Sequence, residues 1–448
     1  MRGIVLFIVF CSAFPFIFIS GPFWGILMWY WVSLMNPQQE VWHAVFAGIP
    51  YAMIIALGTL LSWLLSRHEP KAPPFSKTTV LLVLLGFWVS VTSVLGTGPA
   101  DQIYYKWQIA EKMLLMTIVA YTLTTTRRRV DQLILVCALS IAFYGAKGGL
   151  FSLRHGGADQ VFGPEGTMIG DNNDLGVALT MTLPLLFYLR ERYRQPYLKW
   201  PMLGLIGLTF LGDVFTYSRG ALVAMCAMGA MLWWRSRQKV ATGLLIAIAA
   251  FGVWIFAPPQ WFARMSTIET YDKDASAEGR IYFWHLSWAI AMKHPITGAG
   301  FQWSFDPVSV NRQLHDDSLP PLTKARAVHS NWFEMLSNHG FVGLAIYLAI
   351  IIGVAVDANW LVRHSRGDPD LLWANTLGRM SLASLIGYCA GGTFATWGMY
   401  DGFYALVIIV AAARRILAAE IATRDAASTT RAVRFPRLRP EFRPQPTG

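Results

Sequence analysis

The chain has 448 residues, 54% of them hydrophobic and only 14% charged, with a mean hydropathy of +0.42. Soluble domains carry about 25% charged residues, so this sequence lacks the polar surface that a water-soluble fold of its size needs. Its net charge of +11 is read as Lys and Arg marking the cytoplasmic loops of a membrane protein, not as a nucleic-acid interface.

Apolar runs near the ~20 residues that cross a bilayer fall at 3–35, 44–65, 78–96, 108–125, 130–150, 174–190, 200–217, 219–234, 240–257, 330–361, 378–397 and 402–420. They predict an all-α polytopic membrane protein of about twelve transmembrane helices. An outer-membrane barrel would instead alternate with period two over ~10-residue segments. Gly21-Pro22 breaks the first run, which is taken as one broken crossing so that both chain ends are cytoplasmic. It lacks a small-x-small cleavage site and is read as retained. Arg127-Arg128-Arg129, then Arg190, Arg192, Arg194 and Lys199, then Arg235, Arg237 and Lys239 occupy alternate short loops and place them inside. The loops 36–43, 97–107, 151–173 and 258–328 then face outward. The chain divides into an N-terminal transmembrane region (1–257), an outer loop with an interfacial helix (258–328), C-terminal transmembrane helices (329–420) and a basic cytoplasmic tail (421–448). In that tail Arg431, Arg434, Arg437, Arg439 and Arg443 alternate with prolines, which predicts no structure. Cys11, Cys137, Cys226 and Cys389 sit in apolar runs without CxxC spacing and are read as packed helix residues. No paired, interrupted repeat of the transporter type is visible.

The chemically unusual residues gather on the outer side. Lys147-Gly148-Gly149 puts a cation beside glycines at the outer end of its span. Asp171-Asn172-Asn173-Asp174 opens the next span; Asn and Asp are favoured N-caps, and their amides also suit sugar hydroxyls or phosphate oxygens. Tyr217-Ser218-Arg219-Gly220 forms a tight outer turn, so Arg219 starts a helix whose N–H groups favour an anion. The alternative for Arg219 is snorkelling to headgroups. Arg280 opens an aromatic run, Ile281 to Trp288, that suits a helix lying in the headgroup plane; it is a phosphate clamp or an ordinary interfacial cation. Asp272-Lys273-Asp274 falls short of a metal site, and His285, His294 and His329 lack zinc spacing. His329 heads a long apolar helix carrying Glu334, Asn338, Gly340 and Gly343. It is either a cap or a base: an imidazole with a pKa of about 6.5 at a helix N-terminus is held neutral. The two glycines allow close helix packing behind it.

The Ser218–Gly220 turn, Arg280, and His329-Ser330 with Gly340 and Gly343 resemble the O-antigen ligase family and its relatives, the lipid-linked polysaccharide polymerases and bacterial O-oligosaccharyltransferases. Lys147–Phe151, Gly163-Pro164, Asp171–Asn173, Met265–Ile268 and Ala275–Ala277 look like the O-glycosylation ligases that accompany exosortase systems. The resemblance implies a GT-C-type glycosyltransferase in a bacterial inner membrane, with one large periplasmic loop and a periplasmic active site. The implied reaction is transfer of a glycan from undecaprenyl pyrophosphate to a lipid A-core sugar, without metal or other cofactor. A protein hydroxyl or a growing lipid-linked glycan is the alternative acceptor. His329, Arg219 and Arg280 are the implied catalytic residues, with Lys147, Asn172, Asn173, Tyr217 and Ser218 binding substrate. A lipid-glycan transporter is a competing class, but it would place ionisable residues near mid-membrane.

Overall fold

A computed structural model describes residues 2–41, 46, 48–193, 195–266, 275–314 and 319–434, without the side chains of 275–277 and 427–434. The described residues are 77% helical, and none of them is in a strand. Its helices, in order, are α1 (Arg2–Ala13), α2 (Phe16–Ile19), α3 (Pro22–Met35), α4 (Tyr51–Leu65), α5 (Lys77–Val94), α6 (Ala100–Leu123), α7 (Arg127–Arg154), α8 (Asn172–Arg192), α9 (Pro196–Val214), α10 (Arg219–Arg235), α11 (Lys239–Phe256), α12 (Pro259–Ser266), α13 (Ala275–Lys293), α14 (Pro307–Gln313), α15 (Asn331–His364), α16 (Leu372–Gly392) and α17 (Asp401–Arg434). Their starts follow local chemistry: side-chain oxygens of Ser76, Thr126, Asp171 and Ser218 each accept a first-turn N–H of α5, α7, α8 and α10, satisfying donors that have no partner within the helix.

Among the described residues five segments are long and apolar enough to cross a membrane: Arg2–Ile19, Lys77–Val94, Arg127–Arg154, Lys239–Phe256 and Asn331–His364. The start of α17 is buried on every side, with Phe403, Tyr404, Ile408, Ile409, Ala412 and Ala413 inaccessible. An all-apolar helix belongs either in such a core or in lipid. Helix α11 is the second case, with no residue buried. Glycines let α7 and α9 touch backbone to backbone: a Cβ on Gly149 would overlap the Leu208 carbonyl, the small-residue contact that membrane helices use in place of hydrophobic drive.

Three expectations are corrected. The first run is a helical hairpin, not one broken crossing. Gly21 sits at φ 95 just before Pro22, and α1 turns back so that Arg2 lies 3.9 Å from Glu40 while Ser62 donates to the Ile17 carbonyl at 2.6 Å. Arg2 therefore shares an end with the 37–40 turn. The tail is helical to Arg434, the last described residue; Arg437, Arg439 and Arg443 lie outside the described residues. The aromatic run beginning at Arg280 is part of a longer helix, α13, that extends from Ala275 to Lys293. Phe283, Leu286 and Ile290 pack on Ala299, Trp303, Val310, Leu314, Leu322 and Val328 as a second core, separate from that of the bundle, while Trp288 and Met292 are exposed on the other face. The outer segment is a folded cap. Trp303 Nε1 fastens it to Ser337 Oγ of α15 at 3.0 Å.

Candidate functional site

Charges and loops segregate to opposite ends of the bundle. The basic end pairs Arg129 with Glu69 at 2.5 Å, Arg192 with Asp131 at 2.7 Å and Lys77 with Asp357 at 2.6 Å. The opposite end gathers the loops around 96–99, 155–171, 215–218, 294–330 and 393–400. Thr97 N donates to Ala299 O, Val161 N to Phe215 O, and Trp397 Nε1 to Met168 O at 3.2 Å.

Arg219 is the first residue of α10, as its motif predicts. The turn before it is built by its neighbours. Tyr217 adopts φ 58 and its hydroxyl donates to the Gly157 carbonyl at 2.7 Å. Asn172 Nδ2 donates to Thr216 O at 2.8 Å, and Ser218 Oγ donates to Asn173 Oδ1 at 3.0 Å. Asn172, Asn173, Tyr217 and Ser218 thus join the N-termini of α8 and α10, so two positive helix ends face the same region. Lys147 stands on another flank, paired with Glu40 Oε1 at 2.9 Å.

Helix α13 begins at Ala275, so Arg280 lies in its second turn and does not open it. One turn on, Trp284 stacks on Phe333 with ring centroids 5.6 Å apart and meets Phe394 at 6.3 Å. Phe394 also packs on α10, where a Cβ on Gly220 would lie 3.1 Å from Phe394 Cβ. Phe394 therefore sits between the residue after Arg219 and the residue one turn beyond Arg280, so α10 and α13 meet the same strap residue. The acidic stretch Asp272-Lys273-Asp274, with Thr267 to Tyr271, lies outside the described residues.

His329 precedes α15 by two residues in a left-handed turn, φ 51, and its peptide N–H donates to Thr396 Oγ1 at 2.9 Å. Burial pushes its imidazole below the ordinary 6.5; Arg280 and Arg326 lower it further, against Asp171. The imidazole is thus held neutral beside Arg280, the form a general base needs. Ser330, the cap by position, makes no side-chain cap bond, and its buried Oγ has no hydrogen-bond partner.

Gly340 does more than allow packing. At φ 68 and ψ −173 it breaks α15 into two pieces, and a Cβ there would overlap the Ile296 carbonyl. The carbonyls freed by the break are all paired: Ser337 O with Ala299 N at 2.8 Å, Asn338 O with Gly300 N at 2.9 Å and His339 O with Trp88 Nε1 at 2.8 Å. That full accounting is what a buried kink requires. The spacing from His329 to Gly340 therefore measures one short helix between the site and a fixed hinge.

Residues 203–348 match a family model described as O-antigen ligase. The match covers less than half of the chain and supports a likeness to the O-antigen ligase superfamily over those residues. Arg219, Arg280, His329 and Gly340 all lie inside that match. Residues 1–194, which include Lys147, Asn172 and Asn173, match a second model, of a family of unknown function. No curated protein matches the chain. That match, with the apolar helices, supports a membrane protein of ligase or polymerase type with glycosyltransferase-like character.

Sequence reasoning missed Arg326 and the strap 393–400 between α16 and α17. Gly279, the residue before Arg280, faces the Arg326 guanidinium. The signal for the strap was the run Gly391-Gly392-Thr393 to Thr396-Trp397-Gly398, too small and polar to be the end of a span.

Proposed function

We propose that the chain is an O-antigen ligase with about twelve crossings and a GT-C-type architecture. In this reading it works at the periplasmic face of a bacterial inner membrane, transferring a glycan from undecaprenyl pyrophosphate to a lipid A-core hydroxyl. The observation that supports the reading is a buried His329 whose imidazole is held below its ordinary pKa by burial and by Arg280, with Gly220, next to Arg219, packed on Phe394 of the same strap that holds His329. The pyrophosphate is already a competent leaving group, so the protein must supply charge neutralisation, orientation and a base. Arg219 and Arg280 bind its oxygens with forked donors, assisted by the N-terminus of α10, and stabilise charge as the glycosidic bond breaks. His329 takes the acceptor's proton as its oxygen attacks the anomeric carbon, inverting it and releasing undecaprenyl pyrophosphate. No step calls for a metal. Asn172, Asn173, Tyr217 and Ser218 shape the approach, while Lys147 stands on its flank, paired with Glu40.

Because burial and Arg280 lower the His329 pKa, the base form persists below pH 6.5. The acid limb of kcat/KM is expected below that value, and a limb above it contradicts the assignment. The acceptor is tested by reconstituting the protein with lipid-linked donor and offering lipid A-core and a pilin-like protein in parallel. Glycosylated lipid A-core is expected. Exclusive glycosylation of the protein identifies an oligosaccharyltransferase, lengthening of the donor glycan identifies a polymerase, and movement of donor across the bilayer with no new product identifies a transporter.

A further inference from the structure

The three-residue site leaves open what holds the histidine in place. A non-glycine residue at positive φ costs about 1–3 kcal/mol and persists only where its surroundings enforce it. His329 is such a residue, at φ 51. Opposite it, three successive strap residues grip the entry to α15. Thr396 Oγ1 accepts the His329 N–H at 2.9 Å, Trp397 N–H donates to Asn331 Oδ1 at 2.6 Å, and Gly398 N–H donates to Glu334 Oε2 at 3.0 Å. The strap is itself pinned from behind. Tyr388 donates to Trp397 O at 2.9 Å, Tyr404 to Gly398 O at 3.0 Å, and Trp332 Nε1 to Thr393 Oγ1 at 3.0 Å. Asn331 and Glu334 hold the helix; Thr396 alone of the three holds the histidine. The strap lies beyond both family matches, which end at 194 and 348.

We propose that Thr396 is a positioning residue acting through His329: by accepting its peptide N–H, the Thr396 hydroxyl fixes the left-handed turn that directs the imidazole to the acceptor beside Arg280. The inference rests on the glycosyl-transfer reading. Removing the oxygen leaves a part-buried N–H without a partner, a cost of about 1–3 kcal/mol, and releases the strained turn. The imidazole then moves relative to the charges that act on it: Arg280 on α13, Arg326 on the cap and Asp171 at the start of α8.

The test uses the full-length protein in nanodiscs, with an undecaprenyl-pyrophosphate-linked trisaccharide as donor and purified lipid A-core as acceptor. Thr396→Val, which keeps the shape but not the oxygen, is expected to lower kcat about 10-fold, equivalent to 1.4 kcal/mol, with the donor KM nearly unchanged. Thr396→Ser restores the rate. In a His329→Ala background Thr396→Val adds no further loss, the non-additivity of residues that act as a unit. A readout independent of transfer is the titration of the His329 carbon-13 resonance, identified among nine histidines by its loss in His329→Gln. It is expected below pH 6.5 in the native protein and Thr396→Ser, and displaced in Thr396→Val. An additive loss, or a titration identical in all three proteins, overturns the proposal. Normal transfer by His329→Ala overturns the base assignment instead, while the titration still decides whether Thr396 holds the ring.

Discussion

The two ends of the bundle are both rich in arginine, yet their polar contacts hold different things. At the basic end side chains staple helix to helix. Asp357 of α15 receives both Lys77 of α5 and Arg414 of α17, Asp131 of α7 receives Arg192 and the Tyr188 hydroxyl, and Arg127 lies over the Trp373 ring at 4.8 Å. At the site end side chains hold irregular backbone: Tyr217 to Gly157, Asn172 to Thr216, Trp88 to His339 and Glu334 to Gly398. Helix-to-helix staples resist separation of the bundle. Side chains on loop backbone fix the shape of the loops that carry Arg219 and His329. Cations thus serve stability at one end and, in this account, chemistry at the other.

Substitutions that keep charge but change geometry sharpen that contrast most. Arg219→Lys retains the cation and loses the fork. Transfer is expected to fall about 10–100-fold, the worth of a charged hydrogen bond of roughly 1.5–3 kcal/mol, with little change in thermal midpoint. A fully active Lys variant would make this arginine equivalent to those at the basic end. Asp357→Ala should do the opposite. It strands Lys77 and Arg414, whose partial exposure (42% and 36%) softens the usual penalty for breaking a buried pair to about 1–3 kcal/mol. A lower melting midpoint with an unchanged rate per folded molecule is expected, and a specific loss of rate would blur the division between the ends. The smallest effect belongs to Lys147→Ala. Its partner is Glu40 and its side chain is 57% exposed, so about 0–1 kcal/mol of stability and a rate within twofold of native are expected. A larger loss of rate would return Lys147 to the substrate-binding set.

Much of the site was legible because it depends on local chemistry. A Ser-Arg-Gly turn between apolar runs predicts a helix beginning at Arg219, and Ser218 caps it. Asp171 likewise caps α8. What local chemistry does not encode was misread or missed. Gly340 was taken as a packing glycine, and its hinge role depends on the 295–300 backbone arriving from the cap. Phe283, Leu286 and Ile290 were assigned to a headgroup-plane helix because an apolar face toward lipid and one toward a small core have the same periodicity. The hairpin at Gly21-Pro22 was visible as a break, but its direction is set by packing against α4. The strap's small, polar run marks it as more than the end of a span, but its value lies in backbone N–H groups and one hydroxyl, whose partners only the fold supplies.

The central claim is that His329 is the base of a glycosyl transfer, and single-turnover transfer from lipid-linked donor by His329→Ala tests it most directly. The account predicts a rate about 10²–10⁴-fold below native, with donor still bound and its pyrophosphate intact. A single-turnover rate close to native would contradict it.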